Sequence, residues 1–84
     1  MEKAAKIKEE VLAVLYEQNP KALFTKDVAA AIIRDEEFTK RLLDELKKAG
    51  FVREVSLSEK GVAYRARRRW QLSEAAFKAY QKLV

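Results

Sequence analysis

The chain has 84 residues, with 18 Lys or Arg against 13 Asp or Glu, and a formal net charge of +5. At this length we expect one domain, residues 1–84, built around one small core. The sequence contains neither Cys nor His. Disulfides, thiolate or imidazole metal ligands and Ser-His or Cys-His nucleophile pairs are therefore excluded. We predict that the protein is not an enzyme and uses no cofactor or metal.

The charge balance and the N-terminal sequence indicate the kind of partner and the compartment. A pI near 9.6 favours a polyanionic partner, although +5 also lies in the range that solubility alone requires. The N-terminal residues are charged and run into an amphipathic pattern, so we expect a cytoplasmic protein without membrane contact. A 37% charged content with few thermolabile side chains is typical of thermophilic proteins.

The first half of the chain predicts two helices. Apolar residues recur at helical spacing from Ala4 to Gln18, and Pro20 ends this helix because proline cannot continue it. Thr25 has the side chain of an N-cap, which predicts a second, short helix running to about Ile33.

A third helix is predicted from Asp35 to the residue before Gly50. Asp35 is an N-cap candidate, and Gly50 follows two lysines, a combination typical of a helix C-terminus. The apolar residues of this helix form one stripe, which predicts its buried face: Phe38, Leu42, Leu46 and Ala49.

Residues 51–55 and 62–72 read as the strands of a β-hairpin, with residues 56–61 as its loop. If Val55 pairs with Val62, Gly50 lies opposite Arg67, and the arginines lie at the base of the hairpin. Arg68 interrupts the alternation of the second strand, which predicts a bulge or a strand that extends past the core. Ser73 is predicted to cap a final helix.

The second strand carries most of the positive charge. Residues 51–72 contain six cations and two carboxylates, and four of the cations are concentrated in one short run: Arg65, Arg67, Arg68 and Arg69. Alternating cations on one face of a strand repel each other unless an anion binds there, so we favour an anionic partner over a merely solvated face. Trp70 and Tyr64 lie on the opposite, apolar parity and are predicted to belong to the core rather than to stack on bases.

Three segments of the chain are similar to the winged helix-turn-helix DNA-binding family, as in MarR-like and other small archaeal regulators. The segment from Phe24 to Ala29 resembles the start of its second helix, that from Leu42 to Val52 the end of its third helix, and that from Trp70 to Glu74 the exit from its wing. The resemblance implies an α+β fold with a three-helix core, a two- or three-stranded β-wing and a C-terminal helix.

The resemblance further implies binding of double-stranded DNA, as a transcriptional regulator or a nucleoid-associated protein. The third helix would enter the major groove and the wing would contact the backbone. The candidate binding residues are Thr39, Lys40 and Arg41 on the helix and Lys60, Arg65, Arg67, Arg68 and Arg69 on the wing.

Acidic residues at the start of the third helix are unfavourable for this docking. Glu36 and Glu37 are spaced to pair with Lys40 and Arg41 on the same helix, and Glu37 could instead accept a hydrogen bond from a cytosine. An alternative function is a winged-helix adaptor that binds an acidic protein partner within a transcription or replication assembly. The final helix carries more apolar surface than docking requires, which predicts a homodimer contact through Phe77, Tyr80, Leu83 and Val84.

Overall fold

The computed structural model describes residues 2–55 and 68–83. The chain forms a first helix, a short strand, two further helices, a pair of strands and a last helix. Their bounds are α1 Glu2–Gln18, β1 Leu23–Phe24, α2 Thr25–Ile32, α3 Glu36–Lys48, β2 Val52–Val55, β3 Arg69–Leu72 and α4 Glu74–Leu83. The predicted order of elements is confirmed, with β1 as the third strand.

The three strands form an antiparallel sheet in the order β1-β3-β2. Val52 pairs with Leu72 and Val55 pairs with Arg69. The predicted pairing of Val55 with Val62 is therefore wrong. The predicted position of Arg67 opposite Gly50 rested on that pairing, and Arg67 itself lies outside the described residues.

The core lies between the helices and one face of the sheet. Each layer contributes at least one side chain with no solvent exposure: Val11 and Leu15 from α1, Val28 from α2, Leu43 from α3 and Trp70 from β3. Val52 and Leu72 extend this core along the hairpin. Two-residue alternation puts these side chains on the same face of the sheet.

Three predicted helix boundaries are confirmed, two by cap bonds and one by a backbone angle. The Asp35 carboxylate accepts a hydrogen bond from the Phe38 N–H at 3.1 Å, at the start of α3. The Ser73 hydroxyl accepts from the Ala76 N–H at 3.2 Å, at the start of α4. Gly50 has φ +86°, the left-handed conformation that terminates α3.

The prediction of Thr25 as an N-cap is wrong. Phe24 is the extended residue before α2, and its N–H donates to the Asp27 carboxylate at 3.3 Å. The Thr25 hydroxyl instead accepts a hydrogen bond from the Trp70 indole N–H at 2.8 Å. Thr25 therefore links the start of α2 to the central strand of the sheet.

Candidate nucleic-acid interface

The exposed face of α3 is the first part of the candidate interface. Four side chains of the helix are buried: Thr39, Leu42, Leu43 and Leu46. At 3.6 residues per turn, the stripe opposite them alternates in charge along the helix, with Glu37, Arg41, Asp44 and Lys48. Lys40 is also exposed and lies on the side of α3 that faces the start of α2.

Thr39 is not part of this exposed face. Its side chain has 0% exposure, and its hydroxyl donates to the Asp35 carbonyl at 2.8 Å. The prediction that Thr39 contacts the major groove is wrong. A threonine one turn into a helix satisfies its hydroxyl on the preceding turn, and the methyl group then faces the core.

The acidic residues at the start of α3 are not neutralised as predicted. Glu36 and Glu37 are exposed, and among residues 2–55 and 68–83 neither Glu36–Lys40 nor Glu37–Arg41 forms an ion pair. Their carboxylates therefore remain available to an external partner.

An open cleft of about 700 Å³ lies between the starts of α2 and α3. It is lined by three cations and three carboxylates: Lys26, Lys40, Arg68, Asp35, Glu36 and Glu37. Charges of the two signs balance there, so this cleft by itself provides little attraction for a polyanion.

Arg68 joins α3 to the hairpin through two carboxylates. Its Nη2 lies 2.6 Å from Asp44 Oδ1 on α3 and 3.0 Å from Glu54 Oε1 on β2. Lys47 Nζ lies 3.0 Å from the same Glu54 oxygen. We call these residues, Asp44, Lys47, Glu54 and Arg68, the Arg68 cluster.

The expectation that the arginine run has no carboxylate partner within the chain is therefore wrong for Arg68. Its guanidinium carbon also lies 4.4 Å from the centre of the Trp70 ring. The residue directly precedes β3 and is not part of the strand, so neither the predicted bulge nor the predicted strand extension is observed at Arg68. The contacts of Arg68 therefore link α3 to β2.

The Arg68 cluster shifts the pKa of its carboxyl groups. The hydrogen bond from Arg68 lowers the pKa of Asp44 below its ordinary value, against a smaller opposing effect of burial. The hydrogen bonds from Arg68 and then Lys47 likewise lower the pKa of Glu54. Both carboxylates in turn raise the pKa of Arg68. All three groups are therefore charged at neutral pH.

Trp70 is a core residue, as predicted. Its side chain has 0% exposure and bonds to Thr25, so it is not accessible for stacking on a base. The Arg68 guanidinium thus packs against the buried indole ring.

The face of the sheet directed away from the core carries further cations. Arg69 lies there, with its guanidinium carbon 5.1 Å from the centre of the Phe24 ring. Arg53 is adjacent, and its Nε donates to the Gln71 side-chain oxygen at 2.9 Å. Arg53 and Lys21 were not predicted as site residues. The outward parity of Arg53 was readable in the sequence, but only the observed register shows that it neighbours Gln71 and Arg69.

Three of the predicted wing residues, Lys60, Arg65 and Arg67, lie outside the described residues, as does Tyr64. Their assignment to DNA remains a prediction from the sequence.

The predicted dimer residues divide into two groups. The rings of Phe77 and Tyr80 pack on Tyr16 of α1, with centroids 5.3 and 4.6 Å away. Leu83 is 84% exposed, and Val84 lies outside the described residues. Part of the apolar surface of α4 therefore docks this helix on α1. In the described part of the chain, no helix is long and apolar enough to cross a membrane.

Comparison with known proteins identifies the fold by structure and not by sequence. No protein-family model matches the chain, and no curated protein matches its sequence. Solved structures do match. The MarR family transcriptional regulator SPO1453 from Silicibacter pomeroyi DSS-3 superposes with a TM-score of 0.73 at 19% identity, over 92% of this chain and 49% of its own.

Two structures of MepR superpose equally well. The MepR–DNA complex of Staphylococcus aureus has a TM-score of 0.77 at 18% identity, over 92% of this chain and 59% of its own. MepR, a transcription regulator of the multidrug efflux pump MepA in the same organism, has a TM-score of 0.71 at 20% identity, over 92% of this chain and 55% of its own.

The chain thus spans about half the length of these regulators. The likeness covers 92% of this chain in each case, and it confirms the fold expected from the local sequence. The chain has the winged helix-turn-helix fold found in MarR-family transcriptional regulators.

Proposed function

We propose that the protein binds double-stranded DNA and acts as a transcriptional regulator or a nucleoid-associated protein. The observation that carries this proposal is the winged-helix fold, with Lys40 and Arg41 exposed on its third helix. A MepR structure with the same fold was solved as a DNA complex. We propose no enzymatic activity.

In this proposal α3 lies in the major groove. Lys40 and Arg41 are long cations on a helix whose opposite face is fixed in the core, so the helix can be inserted without unfolding. Arg69, together with Lys60, Arg65 and Arg67 from the connection between the strands, would neutralise phosphates of the adjacent backbone. Arg68 is omitted from this set because Asp44 and Glu54 already bind it.

Salt dependence tests the mechanism. Neutralising ~4 to 6 phosphates releases condensed counterions, so log affinity should fall with log salt at a slope of roughly −4 to −5. Fluorescence anisotropy of random and genomic duplexes over a salt series measures this slope. The variant Arg65→Ala, Arg67→Ala, Arg69→Ala should bind more weakly with a shallower slope. Binding that does not respond to salt would exclude the mechanism.

An adaptor function is the second candidate, and the exposed acids of α3 favour it. Glu36 and Glu37 have no ion-pair partner in the described residues, and the cleft beside them carries balanced charge. Under this alternative the arginine face binds an acidic partner protein, and the acid-rich α3 does not enter a groove.

Charge reversal separates the two candidates. If α3 lies in a groove, Glu36→Lys with Glu37→Lys removes repulsion from phosphates, and duplex affinity should rise. If the protein is an adaptor, the same variant should lose its protein partner and gain no specific DNA affinity. Glu9→Lys with Glu10→Lys changes the net charge equally at two adjacent exposed acids of α1 and is the matched control.

A homodimer is the assembly we propose, through the exposed end of α4. Leu83 is the described residue that carries this part of the proposal, with Val84 beside it in sequence. Cytoplasmic location and an archaeal, thermophilic source are further proposals, and they depend on composition and on the resemblance to small archaeal regulators.

A further inference from the structure

The strand register places a group of polar side chains on the sheet face directed away from the core. Phe24, Arg69 and Val55 lie in one row across the three strands. Arg53 and Gln71 form the next row. Since alternate residues point to opposite faces, these side chains lie on the other side of the sheet from Trp70 and Leu72.

Arg53 is held in position on this face. Its Nε and Nη2 both donate to the Gln71 side-chain oxygen, and the Gln71 amide donates to the Pro20 carbonyl. Gln71 is only 9% exposed, so it forms a fixed support. A guanidinium has five N–H donors, and three of those on Arg53 are not used by Gln71. Arg53 itself is exposed to solvent.

Among the described residues, an aromatic ring and not a carboxylate positions Arg69. Its guanidinium carbon is 5.1 Å from the centre of the Phe24 ring. A ring contact of this kind orients the cation but leaves its full charge, since the ring is neutral.

A cleft of about 580 Å³ lies on this face; of the charged residues that the structure describes, it is lined by Lys21, Arg53 and Arg69 and by one carboxylate, Asp27. Asp27 already accepts the Phe24 N–H. Within residues 2–55 and 68–83, none of the three cations forms an ion pair. We call Lys21, Arg53 and Arg69 with their support Gln71 the outer sheet face.

The contrast with the rest of the molecule indicates the partner. The cleft between α2 and α3 has balanced charges, and Arg68 on the core side of the sheet is bound by two carboxylates. The outer sheet face has an excess of positive charge, and one of its arginines is already fixed with free donors. Planar guanidinium groups with free N–H donors match the oxygens of a phosphate.

We propose that the outer sheet face is a second phosphate-binding surface, which binds the backbone of duplex DNA outside the groove occupied by α3. The inference depends on the proposed DNA binding and adds to it Lys21 and Arg53 as phosphate ligands and Gln71 as a positioning residue.

The test compares two triple variants with the same change in net charge. Lys21→Gln, Arg53→Gln, Arg69→Gln removes the cations of the outer sheet face. Lys6→Gln, Lys78→Gln, Lys82→Gln removes three exposed cations on α1 and α4, away from both proposed DNA contacts. Each lost phosphate contact reduces the salt slope by about 0.9, so the first variant should lose roughly 2 to 3 from the slope and the control should keep it.

Arg53→Gln also removes the bond to Gln71, and this loss can disturb the fold. A second variant therefore leaves Arg53 unchanged. Lys21→Gln with Arg69→Gln leaves the Arg53–Gln71 contact intact and should reduce the slope by roughly 2. Circular dichroism confirms that each variant is folded. Backbone amide NMR of the unmodified protein with a duplex should show shifts at residues 21, 53 and 69.

The outcomes distinguish this inference from the proposed function. If a Lys40→Gln, Arg41→Gln variant loses affinity while the outer-face variants keep the parental slope, DNA binding stands and the outer sheet face is overturned. If the outer-face and control variants lose equal amounts of salt slope, the loss is due to overall charge alone. This result would also overturn the outer sheet face as a binding surface. If the unmodified protein shows no salt-dependent DNA binding, both proposals fail. Equally tight binding of polyglutamate would overturn a nucleic-acid partner in favour of an acidic protein.

Discussion

At the scale of single residues, bonds between near neighbours in the chain were the most predictable feature. Asp35, Gly50 and Ser73 mark helix ends because their side chains or backbone freedom satisfy groups within a few positions. Thr25 has equally suitable chemistry, but Trp70, 45 positions away, donates to its hydroxyl. That competition depends on tertiary structure and cannot be read from the local sequence.

Thr39 provides a test that separates a structural residue from a DNA-contacting one. Thr39→Val keeps the shape of the side chain and removes the bond to the Asp35 carbonyl. We expect a loss of about 0.5–1.5 kcal/mol in the free energy of unfolding and no change in DNA affinity. Urea denaturation followed by circular dichroism measures the first, and anisotropy measures the second.

Lys40→Gln is the matched comparison, since Lys40 is the exposed neighbour of Thr39. This variant should retain stability and lose DNA affinity. A Thr39→Val variant that loses affinity as strongly as Lys40→Gln would contradict the assignment of Thr39 to the core.

At the scale of elements, the Arg68 cluster determines how the hairpin sits against α3. Arg68 bonds to residues 24 and 14 positions away, one on α3 and one on β2. The sequence predicted an unusual residue at this position but not its partners, because the assumed pairing of Val55 with Val62 displaced the two strands. The observed register brings Glu54 opposite Trp70, beside Arg68.

The cluster predicts a specific dependence of stability on pH. Folding lowers the pKa of Asp44 and of Glu54, so their contribution is present above their ordinary values of 3.8 and 4.5 and is lost as pH falls through the lower folded-state values. Arg68→Met keeps the apolar stem over Trp70 and removes the charge. We expect this variant to be less stable than the parent at pH 7, with the difference shrinking below about pH 4.

Chemical denaturation at pH 7, 5, 4 and 3 measures the effect. Lys78→Met is the control, because its partner Glu74 is 83% exposed and the pair lies within one helix. Exposed pairs of this kind contribute little, so the control should follow the parental pH profile. A constant difference between Arg68→Met and the parent at every pH would show that packing and not charge accounts for the loss.

At the scale of the whole molecule, the fold was predictable and the arrangement of its charges was not. The order of helices and strands follows from periodicity and caps, and it matches the winged-helix structures. Whether an individual cation has a structural role or a binding role depends on the side of the sheet on which it lies. Arg68 and Arg69 are adjacent in sequence, yet Arg68 is bound by two carboxylates, whereas Arg69 contacts the Phe24 ring and forms no ion pair within residues 2–55 and 68–83.

The proposed homodimer predicts different effects along α4. Leu83→Glu places a charge on a side chain that is 84% exposed, so it should shift a dimer toward monomer with little change in monomer stability. Phe77→Ala removes the ring that packs on Tyr16 and should destabilise the fold itself. Analytical ultracentrifugation over a concentration series measures the assembly, and thermal unfolding measures the fold.

Lys82→Glu is the matched control, because it changes charge at a neighbouring exposed residue. It should leave the sedimentation behaviour unchanged. A parent protein that sediments as a monomer at all concentrations would exclude the dimer proposal.

Trp70 gives the molecule an intrinsic optical reporter. It is the single tryptophan of the chain, it is sealed from solvent, and it contacts both Thr25 and Arg68. Its emission spectrum therefore arises from one environment, at the point where the sheet meets the start of α2 and the guanidinium that binds α3. Any ligand that loosens this junction should shift the emission toward longer wavelengths, so rearrangements of the domain can be followed in real time without attaching a dye.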